Sequence, residues 1–119
     1  MNKQEQIELA KAYVALSNTH KINLILPLLS EDIFYSSTSV GEFIGKNAVE
    51  EMMNGFFTRF PDVHWEVNDY QYSEDRIVSF DFVMAAKNIE TDEQIERKGL
   101  ENIIFSDEGM IKKIKVIAQ

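Results

Sequence analysis

Cysteine is absent from this chain of 119 residues, and histidine, proline and tryptophan are scarce. Without cysteine, a disulfide framework, a thiol nucleophile and a cysteine-based metal site are all excluded. Only two histidines are present, and they are far apart, so the sequence predicts no metal site. No glycine-rich phosphate loop occurs either, and we therefore expect no cofactor.

Long apolar runs and excess positive charge are also missing. No apolar run approaches the ~20 residues that a membrane span needs. The first residues, MNKQEQIELAKAY, lack the apolar region typical of a secretion signal, which favours a cytoplasmic protein. The chain carries 12 lysines and arginines against 20 acids, a net charge of −8, so we expect neither a nucleic-acid nor a membrane partner. No repeat or linker interrupts the chain, and its length predicts one domain over residues 1–119.

The most informative stretch covers residues 41–67, GEFIGKNAVEEMMNGFFTRFPDVHWEV. A short β segment ends at Gly45, and Pro61 ends the helix that follows it. Asn47 and Glu50 are spaced as an N-cap and a partial capping box. The helix has one broad apolar face, formed by Val49, Met52, Met53, Phe56, Phe57 and Phe60. Such a face needs a broad concave partner surface.

The remaining first half is mainly helical. Apolar periodicity predicts a first helix over residues 4–18, with Ile7, Ala10 and Val14 in one stripe and Leu9, Tyr13 and Leu16 in the next. A second helix over residues 21–29 contains Pro27, which predicts a kink or a short helix. Residues 33–37 then form a strand whose partner is the segment EFIG.

The second half is rich in β-strand patterns. Residues 76–86 alternate strictly between apolar and polar, and strands are predicted over 93–105 and 111–117, joined by a hairpin at Gly109. Gly99 predicts a bend or bulge. Trp65 and Tyr70 lie on opposite parities, which a bulge near residues 68–69 would reconcile. We therefore expect an α+β domain in which a strongly bent, cone-shaped, mainly antiparallel (mixed) sheet wraps three N-terminal helices, with a small-molecule site at the open end.

Three segments in this order, AYVALSNTHKINLILPLLSEDIFY, FIGKNAVEEM and GLENIIFSDEGMIKKI, resemble the nuclear transport factor 2-like fold. Within that fold the chain resembles the SnoaL-like and ketosteroid-isomerase-like proteins, over about residues 6–117. The resemblance implies the cone architecture. It implies no single activity, because the fold hosts isomerases, cyclases, dehydratases, hydrolases and non-enzymatic adaptors.

The resemblance also implies roles for three residues. Tyr13 matches the isomerase tyrosine, and Glu101 the protonated acid, that together donate hydrogen bonds to a developing oxyanion. Ser37 stands where those isomerases have an aspartate as general base. A serine hydroxyl does not accept a proton at neutral pH without an activating base, so the sequence leaves open whether the protein is an enzyme.

Strand parity gives an independent prediction for the same acid. Glu101 has the parity of Ile103 and Phe105, so its carboxyl group points into the core unless the parity breaks at Gly99. A buried carboxyl group must become protonated or find donors such as the hydroxyl of Tyr13. The side chains expected to line a ligand cavity, each also a core candidate, are Trp65, Phe57, Phe60, Phe80, Phe82 and Met84.

Three functions follow as alternatives. The first is a protein that binds a small apolar or aromatic molecule in the cone, held by Tyr13 and Glu101. The second is a polyketide-cyclase-like or isomerase-like enzyme that uses both residues as oxyanion donors. The third is a non-enzymatic association module. Leu100 and Ile104 form an apolar row on the outer sheet face, and we expect a homodimer through that face.

Overall fold

The computed structural model describes all residues, 1–119, and contains three α-helices, one 3₁₀ turn and six strands. The helices are α1 (Lys3–Asn18), α2 (Ile22–Ile25) and α3 (Lys46–Arg59), with the 3₁₀ turn at Leu26–Leu28. The strands are β1 (Leu29–Ser37), β2 (Gly41–Ile44), β3 (His64–Ser73), β4 (Ile77–Lys87), β5 (Gln94–Phe105) and β6 (Ile111–Ala118). None of the helices is long and apolar enough to cross a membrane.

All six strands belong to one mixed sheet with the order β2-β1-β6-β5-β4-β3. Every neighbouring pair is antiparallel except β1 and β6, which run parallel. The sheet stays open and curves as a cone around the helices, so the predicted α+β fold class is confirmed. We call the face that packs against α1 and α3 the concave face and the other side the outer face.

A bulge in β3 confirms the prediction made from its broken parity. The pairing of β3 with β4 shifts between Asn68 and Gln71, and Asp69 has a positive φ of 59°. Two residues of β3 therefore lie opposite the single residue Phe80. As a result Trp65 and Tyr70 are both half-buried on the concave face, although they differ in parity.

The start of α3 differs from the prediction. The helix begins at Lys46, and its N-cap is Gly45, which offers no side-chain cap. Gly45 has a positive φ of 90°, a conformation that strongly favours glycine, and the chain therefore turns into the helix earlier than expected. Asn47 lies inside the first turn, so the predicted capping box of Asn47 and Glu50 is wrong.

The first two helices also differ from those that the apolar periodicity predicts. A capping box of Asn2 and Glu5 starts α1, and the centre of its buried face contains the polar residues Gln6 and Ser17 beside Ala10 and Tyr13. Ala10 and Tyr13 come one from each predicted apolar stripe, and the other stripe residues, Ile7, Leu9, Val14 and Leu16, flank this centre and are half-buried. The second helix is short, as Pro27 predicted, because the 3₁₀ turn replaces its second half and β1 already begins at Leu29.

Gly99 allows close packing and does not form a bulge. The pairing of β5 with β4 continues through Gly99 without a shift, and the pairing with β6 begins at Gly99 in regular register. A Cβ atom at this position would lie 2.5 Å from the carbonyl oxygen of Ile117 and 2.7 Å from the ring of Phe82. The missing side chain therefore gives the Phe82 ring its place on the concave face.

We predict that Gly99→Ala lowers the free energy of unfolding by about 2 kcal/mol, because backbone and ring must both move to admit one methyl group. Gly55→Ala is the matched control. Gly55 lies inside α3, where a Cβ atom would have no neighbouring atom within 4 Å, and alanine there should stabilise the helix by roughly 0.5–1 kcal/mol. Urea unfolding of both variants measures the difference, and a neutral Gly99→Ala would contradict the packing role.

Candidate functional site

A cavity of about 80 Å³ lies between the concave face and the helices α1 and α3. Its inner wall includes Tyr13 from α1 and Glu101 from β5, both buried. Exposed residues mark its mouth, where the turn after β1, the end of β6 and the first half of β5 meet: Ser39, Ala118 and Lys98. Most of the lining is apolar, so a guest would be surrounded by hydrocarbon and aromatic rings.

The register of three strands places Glu101 in this wall. It pairs with Phe80 on β4 and with Val116 on β6, and only 7% of its surface is exposed. Burial raises the pKa of its carboxyl group from 4.5 to about 8, and no cation or hydrogen bond offsets that effect. The side chain of Glu101 therefore points inward, as predicted, and its carboxyl group is mostly protonated at neutral pH.

Three tyrosines surround this acid closely enough to sense its charge. Burial, and after it the negative charge of Glu101, raises the pKa of Tyr13, Tyr35 and Tyr70, the last of them to about 12. Each phenol therefore keeps its proton at neutral pH. Tyr13 and Tyr35 line the cavity, so they can offer O–H donors beside the Glu101 carboxyl group.

Ser37 lies in the same cavity wall, but its hydroxyl is engaged in the turn that follows β1. Its Oγ accepts hydrogen bonds from the backbone N–H groups of Ser39 at 3.2 Å and Val40 at 3.3 Å. Two strand spacings separate it from Glu101, since Val116 pairs with both residues, which corresponds to roughly 10 Å between their Cα atoms. No histidine or carboxylate bonds to its hydroxyl, so nothing activates it as a base.

Five of the six predicted apolar lining residues reach the cavity, namely Phe57, Trp65, Phe80, Phe82 and Met84. Phe60 does not. It is the C-cap of α3, and its ring packs 5.0 Å from that of Phe56 in a second apolar cluster, whose members Phe56, Phe82 and Met84 do line the cavity. The position of Phe60 on the apolar face of α3 predicted that it is buried. It could not show how far along that face the cavity extends.

Sequence reasoning missed Tyr35, Tyr70 and Arg97. Tyr35 is two residues from Ser37 on β1, and Arg97 is four residues from Glu101 on β5, so strand parity already placed each of them on the concave face. The bulge turns Tyr70 inward, where its ring lies 5.1 Å from that of Phe80. The wall side chains missed on α3 are Met52, Met53 and Phe56.

The arrangement is suited to hold an oxygen atom. The O–H groups of Tyr13 and of the protonated Glu101 can both donate into an apolar cavity, where a hydrogen bond is stronger than in water. A carbonyl oxygen, or one that gains negative charge during a reaction, would fit such donors. No group of three histidine or acidic side chains is placed to hold a metal ion.

The chain is similar to known proteins in sequence and in fold. A family model for the SnoaL-like domain matches residues 10–113. Because the match covers most of the chain, the protein belongs to the SnoaL-like family, as its sequence segments indicated. No curated protein matches the chain in sequence.

Solved structures agree with the fold at low sequence identity. A nuclear transport factor 2-like protein of unknown function from Exiguobacterium superposes with a TM-score of 0.83 at 15% identity, covering 92% of this chain and 97% of its own. SalBIII, an epoxide hydrolase/cyclase-like enzyme of pyran ring formation in salinomycin, has a TM-score of 0.88 at 17% identity, covering 99% and 93%. A putative polyketide cyclase from Xanthomonas campestris has a TM-score of 0.81 at 18% identity, covering 100% and 93%. These likenesses establish architecture and leave activity open.

The raised pKa of Glu101 predicts how stability depends on pH. Between pH 4.5 and about 8 the folded protein keeps a proton on Glu101 that the unfolded chain releases. The folded state therefore binds more protons, and this group's contribution is full below pH 4.5 and is lost as the pH rises to about 8. We expect the free energy of unfolding of the wild type to fall by several kcal/mol over this range relative to Glu101→Gln.

The measurement is urea unfolding of both proteins at pH 5, 6, 7 and 8. Glutamine is the suitable reference because it has nearly the same size and does not titrate. Parallel stability curves for the two proteins would mean that Glu101 is not held in its neutral form.

Proposed function

We propose that this SnoaL-like protein binds a small apolar molecule in the cavity and holds a carbonyl or hydroxyl oxygen of that molecule with Tyr13 and Glu101. The observation that carries the proposal is a carboxyl group, 7% exposed, that has no hydrogen-bonding partner or counter-ion to offset its burial. Such a group is costly to keep in a fold unless it meets a partner at some stage. Because it faces a cavity, a guest can be that partner.

The size of the cavity limits the guest. A volume of about 80 Å³ is well below the roughly 300–1,000 Å³ of sites that take drug-sized ligands. Three methionines in the wall, Met52, Met53 and Met84, have flexible side chains that can adapt to a somewhat larger molecule. We therefore expect a guest of about one ring.

A ring-sized ketone, acetophenone, is a suitable probe of this site. We predict that Tyr13→Phe weakens its binding about tenfold, because a donor to the ketone oxygen is lost from an apolar site. Glu101→Gln should weaken binding as well, since an amide N–H is a poorer donor than a carboxylic O–H. Ligand-observed NMR or calorimetry at pH 6, where Glu101 is protonated, measures the dissociation constants.

Tyr72→Phe is the matched control for this experiment. Tyr72 is a half-buried tyrosine of β3 outside the cavity wall. Its hydroxyl oxygen accepts a hydrogen bond of 3.4 Å from the side-chain amide of Gln6. The same chemical change there should leave affinity for acetophenone unchanged. Equal affinities in the wild type, Tyr13→Phe and Glu101→Gln would remove the proposed roles of both residues.

An enzyme that stabilises an enolate is the second candidate. Two donors beside each other in an apolar site support it, and the solved relatives include a putative polyketide cyclase. The general base would have to be water or a group of the substrate, because the Ser37 hydroxyl is engaged in its turn. Turnover of a cyclic enone that persists in Ser37→Ala and is lost in Glu101→Gln would distinguish this enzyme from a binding protein.

We also propose a homodimer through the outer face. Leu100 pairs across the strands with Ile117, and Ile104 with Ile77, so half-buried apolar side chains lie next to each other on that side of the sheet. Ile44, in the same cross-strand row as Ile104, is 72% exposed. Covering such a surface with a second copy removes apolar area from water.

For the dimer, we predict that Leu100→Asp shifts the protein toward monomer in sedimentation velocity, because a charge at the centre of the contact is hard to desolvate. Leu24→Asp on α2 is the control, since Leu24 is 48% exposed on a helix that packs against α1 and α3. A wild-type monomer at the highest concentration tested would overturn this proposal and leave the binding site unaffected.

A further inference from the structure

Arg97 has an unusual environment among the cationic side chains of the protein. It is half-buried and lines the cavity near its mouth, while the other lysines and arginines without an acidic partner are exposed. The four ion pairs of the structure use Lys11, Lys46, Arg76 and Lys87. The guanidinium of Arg97 therefore combines partial shielding from water with the absence of a counter-ion.

The nearest strand neighbours of Arg97 on the concave face carry no charge. Its cross-strand partner is Met84, which pairs in turn with Trp65, and its neighbours along β5 on the same face are Ile95 and Gly99. Removing a cation partly from water among apolar groups is unfavourable unless an anion compensates for it. Guanidinium groups are the cations best suited to such sites, since they are weakly hydrated and bind carboxylates through two parallel hydrogen bonds.

We propose that Arg97 is an anion-binding residue of the cavity and that the natural guest carries a carboxylate group on its apolar, ring-sized body. This inference rests on the proposed binding function and adds the chemical class of the ligand. The carboxylate would lie at the mouth, against Arg97, and the carbonyl or hydroxyl oxygen would lie at the inner wall, against Tyr13 and Glu101.

The spacing along β5 agrees with a guest that has polar groups at its two ends. Arg97 and Glu101 are four residues apart on the same face of one strand, which corresponds to roughly 13 Å between their Cα atoms. The two side chains occupy part of that span, and about one ring with a substituent at each end fills the rest. Gly99 lies between them and leaves its side-chain space to the ring of Phe82, so the floor between the two ends is aromatic.

The test compares a charged and a neutral probe of the same shape, 4-acetylbenzoate and 4-acetylbenzamide, at pH 6 by calorimetry. Both have the ketone oxygen for Tyr13 and Glu101, and only the first carries an anion for Arg97. We expect the wild type to bind the benzoate about tenfold more tightly, in proportion to a charge-assisted hydrogen bond at a partly exposed site. This preference should decrease as salt is added, because the pair is screened.

Substitutions then assign the preference to one side chain. Arg97→Gln should remove it, and Arg97→Lys should keep part of it, since lysine retains the charge without the planar fork. Lys115→Gln is the control for net charge. Lys115 is exposed on β6, has no ion pair and does not line the cavity, so its loss should leave the preference at the wild-type value.

The outcomes separate this inference from the function on which it rests. Equal binding of both probes by the wild type, or an unchanged preference in Arg97→Gln, overturns the role of Arg97 and leaves the cavity as a binding site for neutral guests. If neither probe binds the wild type, and acetophenone does not bind either, the proposed function fails, and the inference fails with it. The salt dependence of the wild type gives an answer even if the variants fold poorly.

Discussion

The burial of one carboxyl group is the constraint from which the chemistry of this protein follows. Glu101 lies in the inner wall of an apolar cavity, where its charged form is strongly disfavoured. The fold therefore keeps an acid in the form of a hydrogen-bond donor at neutral pH. Three tyrosines around it stay protonated for the same reason, and Tyr13 and Tyr35 line the cavity, so its inner wall supplies donors and no carboxylate acceptor.

The curvature of the sheet creates the space that makes this burial possible. The bulge in β3 turns Tyr70 toward the helices, and Gly99 lets the ring of Phe82 lie against the strand. The bulge interrupts regular strand pairing, Gly99 leaves out a side chain within a regular strand, and both lie beside the cavity. Packing of α3 across the concave face then closes the cavity on the opposite side with apolar side chains.

Local spacing predicted the faces of the long elements, including the apolar face of α3 and the inward side of Glu101 in β5. The start of α3 was not predictable, because Gly45 takes a backbone conformation that no side-chain pattern reveals. The prediction that Phe60 lines the cavity was wrong for a related reason, because only three-dimensional packing decides where a buried face ends and a cavity begins. Strand parity placed Arg97 on the face of Glu101, but the absence of an ion pair around a half-buried cation depends on every element packed near it.

The occupied hydroxyl of Ser37 bears on the choice between a binding protein and an enzyme. Two donors at the inner wall can stabilise an oxygen that becomes negative, but proton abstraction needs an acceptor, and Ser37 already accepts two backbone hydrogen bonds. A reaction in this cavity would have to take its base from the substrate or from water. Binding requires no such additional group, and for that reason it is the function that the residues of this cavity can perform by themselves.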